Sequence, residues 1–229
     1  MSKKIVKKTK IKIFNILLFL FVLIGLFFVG KIISEEPIHN IVIKGTTYLK
    51  DDYILELGNI KNYPKFLFLK SNDVSKKITK SEYIEKCTIK KKWGYILELN
   101  IEENKPLFYD MNKEKIILEN NRESKEDSIS KSFRVPRLLN YVPDQKYEKF
   151  IKGMTNIKQD TLSKISDIEY QPNEYDKDRF LLYMDDGNMV YLTLTKFKMI
   201  NQYNNVLSQL EGHKGILYLD SGNHFQIKE

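Results

Sequence analysis

The sequence predicts an α+β protein: a single N-terminal transmembrane helix, a small unit of order strand-helix-helix-strand-strand, and a mixed α/β domain with a mainly antiparallel sheet. Three observations carry this reading. Residues 13–33 are almost wholly apolar, broken only by Asn15, Gly25, Gly30 and Lys31. Residues 95–102 alternate between Leu97, Leu99 and Ile101 on one face and Ile96, Glu98, Asn100 and Glu102 on the other, the period of a half-buried antiparallel strand. Asp185-Asp186-Gly187-Asn188 lies between two apolar strand-like runs, a strong signal for a tight hairpin turn.

The apolar run defines the anchor. As a helix, the stretch from Ile13 to Gly30 reaches about 27 Å, close to the hydrocarbon thickness of a bilayer. It is longer than a signal-peptide core, and Lys31-Ile32-Ile33-Ser34-Glu35-Glu36 offers no small-residue cleavage pattern. An uncleaved span is therefore expected. Lys3, Lys4, Lys7, Lys8, Lys10 and Lys12 precede it, so residues 1–12 form a cytoplasmic basic tail and the chain beyond Ser34 lies outside the cytoplasm.

The small unit is expected over residues 36–106. Pro37 opens a strand over residues 38–44, with Ile41 and Ile43 on one face. Asp51-Asp52 begins a short helix that Gly58 would cap. Phe66, Phe68 and Leu69 follow Pro64 as buried loop residues, and Ser71-Asn72-Asp73 would cap a second helix carrying Val74 and Ile78. A hairpin closes the unit, with Cys87-Thr88-Ile89-Lys90-Lys91 turning through Lys92-Trp93-Gly94 into the alternating strand.

Residues 107–229 form the second domain. Strands over 107–109 and 115–118 flank a turn at Met111-Asn112-Lys113, and the polar stretch 120–132 reads as a mobile loop. Val135-Pro136-Arg137-Leu138-Leu139-Asn140 re-enters the fold. Asp144 would cap a helix carrying Tyr147, Phe150 and Ile151, and Ile157, Leu162 and Ile165 suggest further helix before a strand at 166–170. The hairpin strands at 179–184 and 189–194 follow. Phe197, Ile200, Tyr203, Leu207 and Leu210 then recur at helical spacing, ahead of a strand at 215–220 and an extended tail at 225–227.

Charge and chemistry narrow the function. Of 38 basic residues, seven lie within the first 33 positions, whereas all 30 acidic residues lie beyond Ser34. The outer part thus carries 31 basic against 30 acidic residues, a balance of +1. The formal +8 is a topology signal and not a nucleic-acid surface. Cys87 is the lone cysteine, so no internal disulfide is possible. It reads as a packed small hydrophobe, with an anchored thiol enzyme as the alternative. His39, His213 and His224 share no ligand spacing, and no nucleophile, phosphate or dinucleotide motif occurs. Neither a cofactor nor a small-molecule substrate is expected. Lys90-Lys91-Lys92 beside Trp93 forms a basic rim, either solvated or in contact with lipid headgroups or anionic wall polymers. Interaction remains. Residues 216–220 and 225–227 are candidates for an exposed sheet edge open to β-augmentation, unless the chain's own tail covers that edge.

The order of these parts resembles the FtsQ/DivIB family of cell-division proteins. The resemblance rests on the basic tail and anchor, on Ile41-Val42-Ile43-Lys44-Gly45, and on Cys87-Thr88-Ile89-Lys90-Lys91-Lys92-Trp93 leading to Glu103-Asn104-Lys105-Pro106. In the second half it rests on Val135-Pro136-Arg137-Leu138-Leu139, Ile165-Ser166-Asp167-Ile168, Asp186-Gly187-Asn188-Met189-Val190, Tyr203 and Tyr218-Leu219-Asp220. It departs at Ser221-Gly222, where the family usually continues Leu-Arg after the aspartate. The resemblance implies a POTRA domain over 36–106 and a non-enzymatic divisome scaffold at the septal membrane. It implies bitopic coiled-coil partners of the FtsL and FtsB/DivIC types, and through them the septal peptidoglycan synthase of the FtsW and FtsI types. Carried onto this chain, the partner-binding residues are Tyr218, Leu219, Asp220 and Phe225 at the C-terminal edge, and Tyr203 and Leu207 on the preceding helix. The alternative is a POTRA-bearing secretion or assembly factor.

Overall fold

The computed structural model describes residues 13–125, 133–210 and 212–228. The basic tail and most of the expected loop at 120–132 lie outside the described residues. Helix α1 (Ile13–Glu35) is exposed at every position from Phe14 to Ile33. A helix apolar on all faces has no favourable place in water, and its 23 residues span about 35 Å. It is long and apolar enough to cross a membrane.

Beyond it comes a three-stranded sheet and two helices. Strand β1 (Asn40–Lys44) runs parallel to β3 (Ile96–Glu103), and β3 pairs antiparallel with β2 (Ile84–Lys92), giving the order β1-β3-β2. Helices α2 (Asp51–Gly58) and α3 (Ser71–Ile78) cover one face. Leu97, Leu99 and Ile101 point into this core, where Ile54, Ile78 and Ile84 meet them. The cap of α2 is Asn59 at φ 53°, not Gly58. Gly58 instead permits close helix packing, since a Cβ there would stand 3.1 Å from Val74. Ser71 is the first residue of α3, one place past the Lys70 cap position. Phe66 is buried, but Phe68 is 67% exposed, against expectation.

Among the described residues the second sheet has nine strands in the order β12-β11-β10-β9-β8-β7-β4-β5-β6. Its first segment comprises β4 (Pro106–Asp110), β5 (Lys115–Leu118) and β6 (Glu123–Lys125), so the expected loop begins with a short strand paired to β5. Strands β7 (Arg137–Leu138) and β8 (Ile165–Tyr170) flank helices α4 (Asp144–Thr155) and α5 (Gln159–Leu162) in sequence. Asp144 is the first residue of α4, whose cap position is Pro143. The hairpin of β9 (Arg179–Met184) and β10 (Met189–Thr193) turns where the sequence expects it. A 3-10 helix (Leu194–Gln202) and a short α6 (Tyr203–Leu207) replace the single long helix. Phe197, Ile200 and Tyr203 are all buried at intervals of three, the period that aligns side chains on a 3-10 helix. Strands β11 (Gly215–Tyr218) and β12 (His224–Ile227) complete the sheet.

Strand β5 is a wall shared by both cores. Ile116 and Leu118 pack with the small unit, whereas Ile117 packs with the second domain, because successive side chains on a strand face opposite ways. Across the same joint Ser124 Oγ donates to Tyr83 Oη at 2.8 Å and Tyr48 Oη donates to Gln159 Oε1 at 3.0 Å. Leu118→Ala is expected to cost about 2–5 kcal/mol, read as a lower urea midpoint. Hydrogen exchange should rise in α2 and α3 although the substitution lies in the other sheet; exchange rising only in β4–β6 would contradict the shared wall.

Candidate partner-binding site

Strand β11 is fixed at both ends by buried polar groups. At its start, Asn188 is 1% exposed. Its Oδ1 accepts from the Gly215 amide at 2.9 Å, and its Nδ2 donates to Tyr203 Oη at 3.0 Å. Tyr203 Oη in turn donates to Asp186 Oδ2 at 2.7 Å, and Asp186 Oδ1 accepts from the Asn188 amide at 2.9 Å. Gly187 sits between them at φ 90°, a conformation that glycine adopts without strain. The turn, α6 and β11 thus share one network. Burial pushes the Tyr203 hydroxyl up and Asp186 reinforces the shift. Burial alone would raise the Asp186 carboxyl, but the bonds from Tyr203 and Asn188 bring it below its ordinary value.

At the far end, Arg179 Nε donates to Asp220 Oδ2 at 2.7 Å, with the two side chains only 14% and 8% exposed. Lys196 Nζ donates to the Asp220 carbonyl at 2.9 Å. The Arg179 guanidinium also lies 3.4 Å from the Tyr191 ring centre. From there a row of rings crosses the sheet. Tyr191 stacks on Tyr218 at 5.4 Å, and Tyr218 stacks on His224 at 4.7 Å.

Among the described residues the sheet margin is β12, the second of the two expected edge segments and one strand beyond Tyr218-Leu219-Asp220. β12 pairs antiparallel with β11 from Gly215↔Ile227 to Tyr218↔His224. A Cβ at Gly215 would lie 2.0 Å from the Gln226 carbonyl oxygen, so only glycine admits this approach. Leu219 is buried and its amide donates to the Tyr191 carbonyl at 2.9 Å. A proline there would break an internal bond of the sheet. The Lys228 amide donates inward to Lys214 at 2.9 Å. Backbone direction alternates along an antiparallel strand, so Gln226 and His224 also face inward. Phe225 and Ile227 then turn their amides and carbonyls outward.

Beside this margin lies a cleft of about 330 Å³ between α6 and the last two strands, lined by Met199, Tyr203, Val206, Leu217, Leu219 and Phe225 among others. The structure therefore brings Tyr203, Leu219 and Phe225 together. Leu207 packs on the core outside the cleft lining. Tyr218 belongs to the ring row on the other sheet face, and Asp220 to the ion pair. Sequence reasoning did not select Val206 or Met199, and it placed Ile227 only within the candidate edge 225–227. Val206 and Met199 fall off the counted helical spacing. Cys87 is buried, and burial pushes its thiol up, against the needs of a nucleophile.

Comparison with known proteins places the chain among cell-division proteins by similarity. Residues 36–104 match the model of the POTRA domain, FtsQ-type. The cell division protein DivIB of Bacillus subtilis (strain 168) is 26% identical over 218 residues, 93% of this chain and 81% of that protein. DivIB of Brevibacillus brevis is 28% identical over 212 residues, 89% of this chain and 78% of its own. The solved major extracytoplasmic domain of DivIB from Geobacillus stearothermophilus covers 48% of this chain and 96% of its own, at 22% identity and TM-score 0.39. An apolar helix, a POTRA domain and a mainly antiparallel β domain define a class of POTRA-bearing protein with an N-terminal helix fit to serve as an anchor. Within that class, the chain is similar along most of its length to cell division proteins named DivIB.

Burial alone would raise the Asp220 carboxyl, but its bond with Arg179, aided by Ser221, holds it below its ordinary value. A carboxyl depressed in this way stabilises the fold fully above the unfolded aspartate pKa of about 3.9, and the contribution is lost as pH falls below that. Asp220→Asn is expected to lower the unfolding free energy at pH 7 by about 3–5 kcal/mol, as for a broken buried pair, read as a lower urea midpoint. The gap to the wild type should narrow steadily below about pH 4; a gap independent of pH would show that the carboxylate charge does not hold β11.

Proposed function

We propose that this protein is a non-enzymatic scaffold of the bacterial divisome, held in the plasma membrane by α1 with its N-terminus in the cytoplasm. Its outer domains bind bitopic coiled-coil proteins of the FtsL and FtsB/DivIC types at the septum, and through them help recruit and regulate septal peptidoglycan synthesis by a synthase of the FtsW and FtsI types. The cell-division names of its relatives, along most of this chain's length, support that role. So does the basic flank ahead of α1.

The observation that carries the partner-binding reading is the open margin of β12 beside the cleft. A partner strand added there would bond to the outward amides and carbonyls of Phe225 and Ile227. An adjoining apolar side chain or helix turn would fill the cleft against Tyr203, Leu219 and Phe225. This is β-augmentation with a side-chain anchor: main-chain bonds supply affinity and the pocket supplies choice of partner. Phe225 and Ile227 offer the edge, Tyr203 and Leu219 the pocket wall, and Tyr218 and Asp220 hold the margin in place.

Ile227→Pro tests it, since proline removes an outward amide and no inward bond. Capture of the DivIC-type partner by the full-length variant in membranes should fall about tenfold or more, equivalent to about 1.4 kcal/mol or more. A fluorescent fusion of the variant should lose its midcell ring while remaining in the membrane. Undiminished capture, with an unchanged circular dichroism spectrum, would refute the edge.

A further inference from the structure

The end of the POTRA domain where α1 enters carries a cluster of exposed apolar and basic residues that the partner-binding site does not use. The chain leaves α1 at Glu35 and is immediately fastened to the loop after α2. Pro37 bridges Lys65, the Phe66 amide donates to the Glu36 carbonyl at 2.9 Å, and the Ile38 amide donates to the Pro64 carbonyl at 3.1 Å. Lys65 also pairs with Glu35. The turn between β2 and β3 joins the same end. The His39 amide donates to the Tyr95 carbonyl at 2.9 Å, and Lys91 Nζ donates to the Leu67 carbonyl at 3.1 Å while lying 5.0 Å from the Phe66 ring centre.

These bonds hold two tips beside the exit of the membrane helix. One presents Leu67 and Phe68, 49% and 67% exposed; the other presents Trp93, 98% exposed. Trp93 is two residues from Tyr95, within about 7 Å along the chain. Lys65 and Lys92 border the tips. Lys92 reaches Glu98 only at 3.8 Å and is half-exposed. A tryptophan this open has no packing reason to sit on a hairpin in water. Aromatic rings at a membrane-water interface, by contrast, lie with an apolar body in the acyl boundary and a polar edge at the headgroups. Nearby lysines add attraction to anionic lipid.

We infer that Leu67, Phe68 and Trp93 dip into the outer face of the bilayer, with Lys65 and Lys92 against anionic headgroups, so that the POTRA domain rests on the membrane in one orientation. The occupant follows from continuity: the cluster adjoins the last turn of α1, so a spanning α1 brings the lipid surface to it. This rests on α1 spanning the membrane. The contact would remove the swivel that a free linker after α1 would allow, and would set the direction in which the second domain projects.

Trp93 is the one tryptophan of the chain, so its emission reports this tip alone. The full-length protein would be assembled into phosphatidylglycerol nanodiscs and probed with aqueous acrylamide and with lipids carrying a shallow nitroxide quencher. The expected result is a blue-shifted emission, a several-fold fall in acrylamide quenching relative to free tryptophan, and strong quenching by the lipid nitroxide. The double variant Leu67→Ser, Phe68→Ser should restore acrylamide access without altering the circular dichroism spectrum. Trp93 as open to acrylamide as free tryptophan, in discs that have taken up the protein, would overturn the inference. Shielding that appears only when a partner protein is added would overturn it in favour of a protein contact. Equal shielding in phosphatidylcholine discs would overturn the role given to the lysines. Failure of the chain to assemble into discs would refute the anchor itself.

Discussion

The Asn188 side chain ties three separate pieces of chain to one another. Its carbonyl holds the first amide of β11, its amide group holds the Tyr203 hydroxyl, and its backbone closes the turn on Asp186. Buried this deeply, each group must find a partner or cost about 1–3 kcal/mol, so the three pieces have one satisfactory arrangement. Packing alone would hold α6 and β11 together loosely, because apolar surfaces tolerate sliding. The network sets the register from which everything beyond residue 215 is built. The Arg179–Asp220 pair does the same at the other end of β11.

With β11 fixed at both ends, β12 can add to it and still leave a margin. Its attachment relies on the close approach at Gly215, on the stacked rings of Tyr218 and His224, and on four aligned residue pairs. A strand placed so firmly presents its outer amides in a straight row, which is what an incoming strand needs. It is also an aggregation hazard in principle. The margin is short, and the exposed polar side chains of His224, Gln226 and Lys228 flank it, which limits unselective pairing. If the proposed partners are tethered to the same membrane, a short, weak edge gains effective concentration.

Much of this was legible in the sequence where the determinants are local. The β9–β10 hairpin follows from Gly187 at positive φ between apolar strands, and the core faces of β3 follow from strict alternation. The resemblance to FtsQ/DivIB proteins rested on such local pieces and their order. Non-local features were less legible. The outermost strand depends on whether residues 224–227 fold back onto β11, which no local pattern encodes. The three-residue spacing of Phe197, Ile200 and Tyr203 was visible but lay within a plausible α-helical pattern. Phe68 looked like core because it sits between Phe66 and Leu69; its exposure depends on where α1 enters the domain. Asp220 enters the partner-binding set only through the resemblance, and its ion pair was not legible because Arg179 lies 41 positions away in the chain.

Among the described residues, Phe225 and Ile227 turn their amides outward, whereas Gln226 and Lys228 are bonded inward. Residue-resolved hydrogen exchange on the full-length protein in membranes, alone and with the proposed DivIC-type partner, tests this most directly. Alone, the amides of Phe225 and Ile227 should exchange quickly while those of Gln226 and Lys228 are protected, and the partner should protect the first pair. Protection of Phe225 and Ile227 before the partner is added, or no change once it is bound, would contradict the account.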